Sequence, residues 1–126
     1  MQGDIAWIEL DRHPVIYLPG ETLRAGCHID KHSVSEVIAV EMSVLWFTEG
    51  KGSEDMAVHH FNRFSAIKPT STDEPDCHIK TTLPNSPLSY EGKILRLRWC
   101  VRARLFGHDG SEQVVQQRLW LMSNRK

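Results

Sequence analysis

The sequence predicts an all-β protein, folded as an immunoglobulin-like antiparallel sandwich of about seven strands. Apolar and polar residues alternate through Ile38–Trp46 and again through Leu95–Leu105, which is the pattern of strands that bury one face. Loops rich in glycine, proline and polar residues separate the apolar segments. No segment has a convincing amphipathic helical pattern with caps. Several strands joined by turns within one short chain indicate two packed sheets.

The predicted strands cover residues 5–10, 22–29, 36–48, 56–65, 77–83, 93–106 and 113–122. Leu18–Glu21 has proline and glycine at the central positions of a type II turn. Leu83–Pro87 contains two prolines, which cannot donate to a β-ladder, so this segment is expected to be a crossover or an edge. Residues 49–55 and 68–76 are expected to be loops.

The composition is that of an ordinary globular protein. The chain has 126 residues, of which 40% are hydrophobic and 25% charged, with a formal net charge of −1. We therefore expect one domain over residues 1–126 and no extensive disorder. No apolar run is long enough to span a bilayer, and no secretory signal is visible. Three cysteines do not suggest a disulfide scaffold, so a reduced, cytoplasmic protein is expected.

The charges are unevenly distributed along the chain. Residues 1–92 carry 7 basic and 14 acidic side chains, whereas residues 93–126 carry 8 basic and 2 acidic ones. Four arginines share the face of one predicted strand that points away from the core: Arg96, Arg98, Arg102 and Arg104. Guanidinium groups bind carboxylates and phosphates through two parallel hydrogen bonds, so this strand predicts an anion-binding face. The alternative is a solvated face paired with Glu36, Glu41 or similar residues.

A second candidate surface is apolar. Leu45 and Phe47 lie on the face opposite Met42, and Trp120 and Met122 lie on the face opposite the core residues of the last strand. Exposed aromatic residues beside flexible and cationic ones are typical of protein interfaces, so these four residues are predicted to contact a partner. The alternative is a strand end covered by a loop. Three tryptophans, Trp7, Trp46 and Trp99, are predicted to lie in the core.

Two motifs resemble those of arrestin-like proteins. Tyr17, Pro19–Glu21 and Gly26 resemble the arrestin hairpin, in which Tyr-x-Pro-Gly-Glu precedes apolar residues alternating with glycine. Further on, Leu83–Pro84 and Ser89–Gly92 resemble the arrestin segment that leads into a long alternating strand. The two motifs occur in the family's order, and the resemblance extends over most of the chain.

The resemblance implies an arrestin-like sandwich, as in arrestins, α-arrestins, the retromer arrestin-like subunit and bacterial sporulation-control proteins. Such proteins are adaptors and scaffolds, which implies that this chain is not an enzyme and needs no cofactor. Arrestins contain two sandwiches in tandem, whereas this chain has room for one. The polar core, receptor-engaging loops and clathrin-binding tail have no counterpart, so receptor desensitisation is not implied.

Histidine and cysteine residues raise the possibility of a metal site. Seven histidines include the adjacent pairs Cys27-His28 and Cys77-His78. Neighbouring residues of a strand point to opposite faces, so each pair offers one ligand to a given site. No Cys-x-x-Cys, His-Glu-x-x-His, nucleophile elbow or phosphate-binding glycine loop is present. A Cys/His metal-binding protein is therefore the less favoured alternative.

The expected function is that of a non-enzymatic adaptor or scaffold that binds a protein partner through sheet faces, loops or an edge strand. The sequence does not identify the partner, which includes the case of a second copy of the same chain in a homodimer. An anion- or phosphopeptide-recognition module is the alternative function. Nucleic acid is not expected, because the net charge is −1 and the arginine strand lacks stacking aromatics apart from Phe106.

Overall fold

The computed structural model describes residues 5–52, 54–68 and 73–125 and confirms the all-β sandwich. Apart from a 3₁₀ turn at Val34–Glu36, the regular elements of these residues are strands. The described residues include no helix long and apolar enough to cross a membrane. The strands are β1 Ala6–Leu10, β2 Ile16–Tyr17, β3 Thr22–Ile29, β4 Val37–Gly50, β5 Met56–Ser65, β6 Cys77–Thr82, β7 Tyr90–Glu91, β8 Leu95–Gly107 and β9 Glu112–Leu121.

Two sheets form the sandwich. The small sheet has the order β1-β3-β6, and the large sheet has the order β2-β9-β8-β4-β5, with β7 paired to β8. All pairs are antiparallel except β2 with β9, where Ile16 lies beside Trp120 in parallel register. The predicted antiparallel sandwich is confirmed, and the parallel pair is a two-residue addition at one edge of the large sheet. All seven predicted strands are present, and the two additional strands have two residues each, too short for any periodicity to register.

The alternating residues of the long strands build the core between the sheets. Val40, Met42 and Val44 of β4 are fully buried, and so are Trp99 and Val101 of β8. Burying side chains of this size stabilises the fold by about 1.5–3 kcal/mol each. Ile38 is an exception to the predicted pattern and is exposed. The register shifts between Val37 and Ala39, so the alternation does not extend back to this residue.

Both predicted turn segments have the expected form. Glu21 N–H donates to Leu18 O over 3.1 Å, and Gly20 has φ of +83°, as position i+2 of a type II turn requires. The crossover 83–89 contains no strand. Pro87 O in this crossover accepts a 2.7 Å hydrogen bond from Trp99 Nε1, which ties the crossover to the core.

β4 ends at Gly50, two residues beyond the end predicted at residue 48, and the turn to β5 follows. Gly50 has φ of +144°, and a Cβ there would lie 2.1 Å from Ile94 O, so only glycine fits. Residue 53 of this loop and residues 69–72 of the loop predicted over 68–76 lie outside the described residues, as do residues 1–4 and 126 of the predicted domain.

The three tryptophans assigned to the core differ in their positions. Trp99 is fully buried, and Trp46 packs against the core while partly exposed. Trp7 is 55% exposed, so its assignment to the core is wrong. In β1 the inward positions belong to Ala6, Ile8 and Leu10, which places Trp7 on the outer face of the small sheet.

Candidate functional site

The predicted arginine face lies on the outer surface of the large sheet, along β8. Arg98 Nε is 3.2 Å from Glu49 Oε1, and Arg98 Nη2 is 3.7 Å from Glu91 Oε1. The first contact has the distance of an ion pair without the alignment of a hydrogen bond. Arg104 Nε is 3.0 Å from Glu112 Oε2. Two of the four arginines therefore have carboxylate partners on neighbouring strands, as the alternative of a paired face expected, with Glu49, Glu91 and Glu112 in the place of Glu36 and Glu41.

The other two arginines have no carboxylate within ion-pair distance among the described residues. Arg102 Nε donates to the amide oxygen of Gln116 over 3.2 Å. Arg96 is exposed at the end of β8, directly opposite Glu49 and Glu91 in the strand register. Among the described residues, no carboxylate lies within ion-pair distance of Arg102, which stands in the middle of the sheet and is therefore able to bind an anion.

The predicted apolar interface is only partly accessible. Leu45 is 1% exposed, so the expectation that it lies on the surface is wrong. It points outward as its parity predicts, but it stands in a central strand between Val58 of β5 and Cys100 of β8. Side chains on both neighbouring strands enclose this position. Phe47, two residues further along β4, is half-buried.

The other half of the predicted interface lies at the opposite edge. Trp120 and Met122 are both half-buried. The guanidinium of Arg118 lies over the Trp120 ring, with Cζ 4.0 Å from the ring centroid, in a cation–π contact. Arg118 Nη2 also lies 3.5 Å from Glu91 Oε1. The structure thus does not bring the four predicted interface residues together, and Trp120 already has a partner within the chain.

An exposed apolar surface occurs instead on β5, where three outward side chains form what we call the β5 patch. Met56 is 58% exposed, Val58 49% and Phe61 54%. In the strand register, each of them lies directly opposite one residue of β4, which in turn lies opposite one residue of β8. The three rows across the sheet are Met56–Phe47–Arg98, Val58–Leu45–Cys100 and Phe61–Ser43–Arg102. Directly opposed residues share a face of the sheet, so the β5 patch is continuous with the outer face that carries Arg102.

β5 is also an edge strand. It pairs with β4 on one side, and no other strand of the described residues pairs with it. The register shift between Val44 and Leu45 leaves His59 outside the regular alternation. His59 Nε2 lies 2.8 Å from the backbone oxygen of Thr82, at the end of β6 in the small sheet. This side-chain contact attaches the β5 edge to the small sheet, and it leaves the backbone groups of β5 without a paired strand on that side in the described part of the chain.

Sequence reasoning located the strand over 56–65 with its correct bounds but did not identify the β5 patch. Alternation reveals which residues share a face, whereas edge position depends on which strands pair, and those pairs are far apart in sequence. The one available signal was the number of large apolar residues in a strand without clear alternation.

The opposite edge of the large sheet is held by the Pro-Gly-Glu motif. The Glu21 carboxylate accepts hydrogen bonds from Leu18 N–H over 2.8 Å and from Arg12 Nη1 over 2.5 Å, and it pairs with Arg125 near the chain end. The backbone N–H of Leu18 first, and the two guanidinium groups next, lower the pKa of Glu21 to about 2. This carboxylate therefore stays charged throughout the physiological range.

Tyr17, the first residue of the same motif, has a structural role. Its hydroxyl donates to Asp11 Oδ1 over 2.7 Å, and the guanidinium of Arg12 lies over its ring. Burial, then the hydrogen bond to Asp11, raises the pKa of Tyr17 above its ordinary value. The hydrogen bonds, ion pairs and cation–π contact of the motif residues thus stabilise the β2 edge of the sheet.

The histidine-rich region of the small sheet forms an open cavity of about 690 Å³. Trp7 stacks on His28 with the ring centroids 5.2 Å apart, and His28 Nε2 lies 2.8 Å from Glu9 Oε1. Among the described residues no group of three or more His, Cys, Asp or Glu side chains is arranged to hold a metal ion. The Cys27-His28 and Cys77-His78 pairs point to opposite faces as predicted, with both cysteines buried.

Comparison with known proteins supports the fold only. No protein-family model matches the chain, and no curated protein is significantly similar to it. Among solved structures, the chain is similar to the sporulation control protein Spo0M from Bacillus subtilis, with a TM-score of 0.56 and 16% identity. The match covers 96% of this chain and 51% of that chain, so this chain spans about half the length of Spo0M.

A second similar structure is a superoxide reductase (neelaredoxin) from Ignicoccus hospitalis. Its TM-score is 0.56 at 12% identity, and the match covers 94% of this chain and 81% of that chain. At such identities, similarity shows a shared fold. The match to a sporulation-control protein agrees with the group of relatives that the sequence motifs suggested, at the level of the sandwich.

Proposed function

We propose that this chain is an arrestin-like sandwich that acts as a non-enzymatic adaptor and binds a protein partner along β5. The observation that carries the proposal is the coincidence of an unpaired strand edge with the β5 patch. Exposed edge strands accept an extended segment of another chain as an additional strand, and backbone hydrogen bonds then supply part of the affinity. Large apolar side chains beside the edge supply the remainder.

The charges around β5 define the chemistry of the expected partner. Residues 56–65 include no acidic side chain, and they carry two histidines and Arg63. Arg63 is already paired with Glu41, at 2.6 Å. Arg102 in the Phe61 row has no carboxylate partner among the described residues. We therefore expect an extended partner segment in which apolar residues alternate with acidic or phosphorylated ones.

The adaptor function rests on this edge and on the motif resemblance. The two structural neighbours differ in the roles that their names state, since one is a control protein and the other a reductase. The neighbours therefore do not decide between an adaptor and an enzyme. The three free thiols of Cys27, Cys77 and Cys100 are compatible with the cytoplasmic location that belongs to this proposal.

A matched pair of valines allows a direct test. Val58 of the β5 patch is 49% exposed, and Val114 on the same outer face, in β9, is 46% exposed. Immobilised wild-type protein, Val58→Ser and Val114→Ser are compared for capture of a partner from the source cells. We expect Val58→Ser to lose the partner and Val114→Ser to retain it. Equal retention by both variants would contradict the docking site, and no capture by the wild type would contradict the adaptor function.

The partner could also be a second copy of this chain. Sedimentation of the purified protein separates this case, because a homodimer formed along β5 would dissociate on Val58→Ser substitution and would persist on Val114→Ser substitution. A monomer at all concentrations leaves a different protein as the partner.

Anion recognition is a second candidate, supported by Arg102. The matched control is Arg104, which has Glu112 at 3.0 Å. For an acidic or phosphorylated partner, we expect Arg102→Gln to weaken binding and to reduce its salt dependence, because exposed charge pairs are screened by salt. Arg104→Gln should leave both nearly unchanged. Binding that is independent of salt in the wild type would exclude this candidate.

A further inference from the structure

Two cysteines face each other inside the sandwich. Cys27 of β3 and Cys77 of β6 are directly opposed in the antiparallel register of the small sheet. Both are buried free thiols in the same core cluster. Directly opposed residues of an antiparallel pair have Cα atoms about 4.5–5.5 Å apart and side chains on one face. That separation lies within the range of about 4.4–6.8 Å found for disulfides.

The third cysteine lacks this arrangement. Cys100 is in β8 of the large sheet, and its neighbours in the register are Leu45 and Arg118. It lies outside the core cluster that contains Cys27 and Cys77. A cross-link within the native fold is therefore specific to one pair of the three cysteines.

The surroundings of the pair slow its oxidation in the folded protein. Burial raises the pKa of both thiols to about 12, and their mutual proximity contributes for Cys27. The thiolate is the reactive form, so both groups are unreactive while buried. Cys77 is the first residue of β6, and two hydrogen bonds of Asp76 hold this strand end: its N–H donates to Cys27 O over 2.9 Å, and its Oδ2 accepts from Ile29 N–H over 2.7 Å.

We infer that Cys27 and Cys77 are a site of reversible disulfide formation, closed by hydrogen peroxide when the end of β6 opens. The Cys77 thiolate attacks one peroxide oxygen, the O–O bond breaks, and the leaving hydroxide takes up a proton to become water. Cys77 is then a sulfenic acid. The Cys27 sulfur attacks the Cys77 sulfur, the S–S bond forms and the S–O bond breaks. The departing hydroxide takes up the proton of the Cys27 thiol and leaves as a second water. The peroxide accepts two electrons, one from each sulfur overall.

The cross-link would have a defined structural effect. It joins the central strand of the small sheet to its edge strand, and it encloses the chain from β3 to β6, including β4 and β5. A disulfide that closes a long segment restricts the unfolded chain and so stabilises the native state, provided that its geometry is unstrained. Oxidation should therefore raise the midpoint of thermal unfolding, and a thiol reductant should reverse the rise.

The test treats the folded wild-type protein with hydrogen peroxide, blocks the remaining thiols and maps the peptides by mass spectrometry. We expect a Cys27–Cys77 linked peptide, a free Cys100, and a mass that returns to the reduced value after dithiothreitol. The unfolding midpoint should rise in the wild type and in Cys100→Ala and should not respond in Cys77→Ala.

Three results would overturn the inference: both thiols remain free, both become sulfinic acids without a link, or either is linked to Cys100. Peptide mapping of the wild type needs no variant, so the inference stays testable if Cys77→Ala does not fold. The result is also independent of partner capture by β5.

Discussion

The two edges of the large sheet differ in how they are protected. At one edge, the short strand β2 pairs with β9. The Glu21 carboxylate there forms ion pairs with Arg12 and Arg125, and the Tyr17 hydroxyl donates a hydrogen bond to Asp11. At the other edge, β5 has a backbone side without a paired strand in the described structure, and its outward apolar side chains are exposed. Unprotected edges invite association with other chains, and proteins commonly block them with charges, short strands or covering loops.

The two edges differ in how many of their polar side chains are paired within the molecule. The blocked edge is built from the Pro-Gly-Glu motif, whose charges are satisfied within the molecule. The β5 edge has a ten-residue strand whose side-chain contacts in the described structure include His59 with the Thr82 carbonyl and the Thr81 hydroxyl, and Arg63 with Glu41. An edge strand of ten residues that carries three exposed large apolar side chains matches the binding surface proposed above.

Removal of Trp99 should give the largest effect, because this core residue contacts both the crossover 83–89 and the β5 edge. Trp99 Nε1 donates a hydrogen bond to the Pro87 carbonyl, next to β7. On the β5 side, the Trp99 and His59 rings make an edge-to-face contact with their centroids 6.1 Å apart. We expect Trp99→Ala to lower the free energy of unfolding by about 3–5 kcal/mol, as for other large core truncations. Chemical denaturation measures this. Trp7→Ala is the control, and an equal loss there would contradict the assigned positions.

Removal of the Tyr17 hydroxyl should weaken the blocked edge alone. The hydroxyl is buried and bonds a carboxylate, and hydrogen bonds to charged groups contribute about 1.5–3 kcal/mol. Tyr17→Phe should reduce stability by about that amount, while partner binding along β5 is retained. Tyr90→Phe, at an exposed tyrosine, is the matched control and should change little. Loss of binding in folded Tyr17→Phe would show that the two edges are not independent.

Glu21 makes the stability of the blocked edge dependent on pH. Its pKa is lowered from 4.5 to about 2 in the folded protein, so its ionised form favours folding above the ordinary pKa. That stabilisation is lost as the pH falls from about 4.5 towards about 2. Glu21→Gln should be less stable at neutral pH, and its deficit should shrink over this interval. Urea unfolding across the interval measures the effect, with Glu54→Gln as control. A deficit that is constant with pH would contradict the assignment.

The smallest stability effects are expected on the outer face. Arg104→Gln removes an exposed ion pair, which is worth about 0.2–1 kcal/mol, whereas Arg102→Gln removes a contact with a neutral amide. Val58→Ser should change stability by about 1 kcal/mol or less, and by an amount similar to Val114→Ser, because both valines are half exposed and lie in strands. Loss of binding in these variants can then be attributed to the surface and not to unfolding. A large loss of stability on Val58→Ser would mean that the β5 patch is structural.

The sequence predicted the local features of this fold and missed the long-range ones. Alternation gave the seven long strands and the outward direction of the β8 arginines, because parity is a property of consecutive residues. Parity did not reveal that Leu45 is enclosed by its neighbours, since enclosure depends on strand pairing. The patch on β5 was missed for the same reason. Trp7 was misplaced although the charged Glu9 shares its face of β1, and the alternation of Ala6, Ile8 and Leu10 indicates the buried side correctly.

The central claim is that a partner adds to the sheet along β5, and amide hydrogen exchange tests it most directly. Exchange is measured for the free protein and for its complex with the partner captured by the wild type. If the partner adds along β5, protection increases within Met56–Ser65, with little change in β2 and β9. Protection confined to β2, β9 or the small sheet, with β5 amides exchanging as in the free protein, would contradict it.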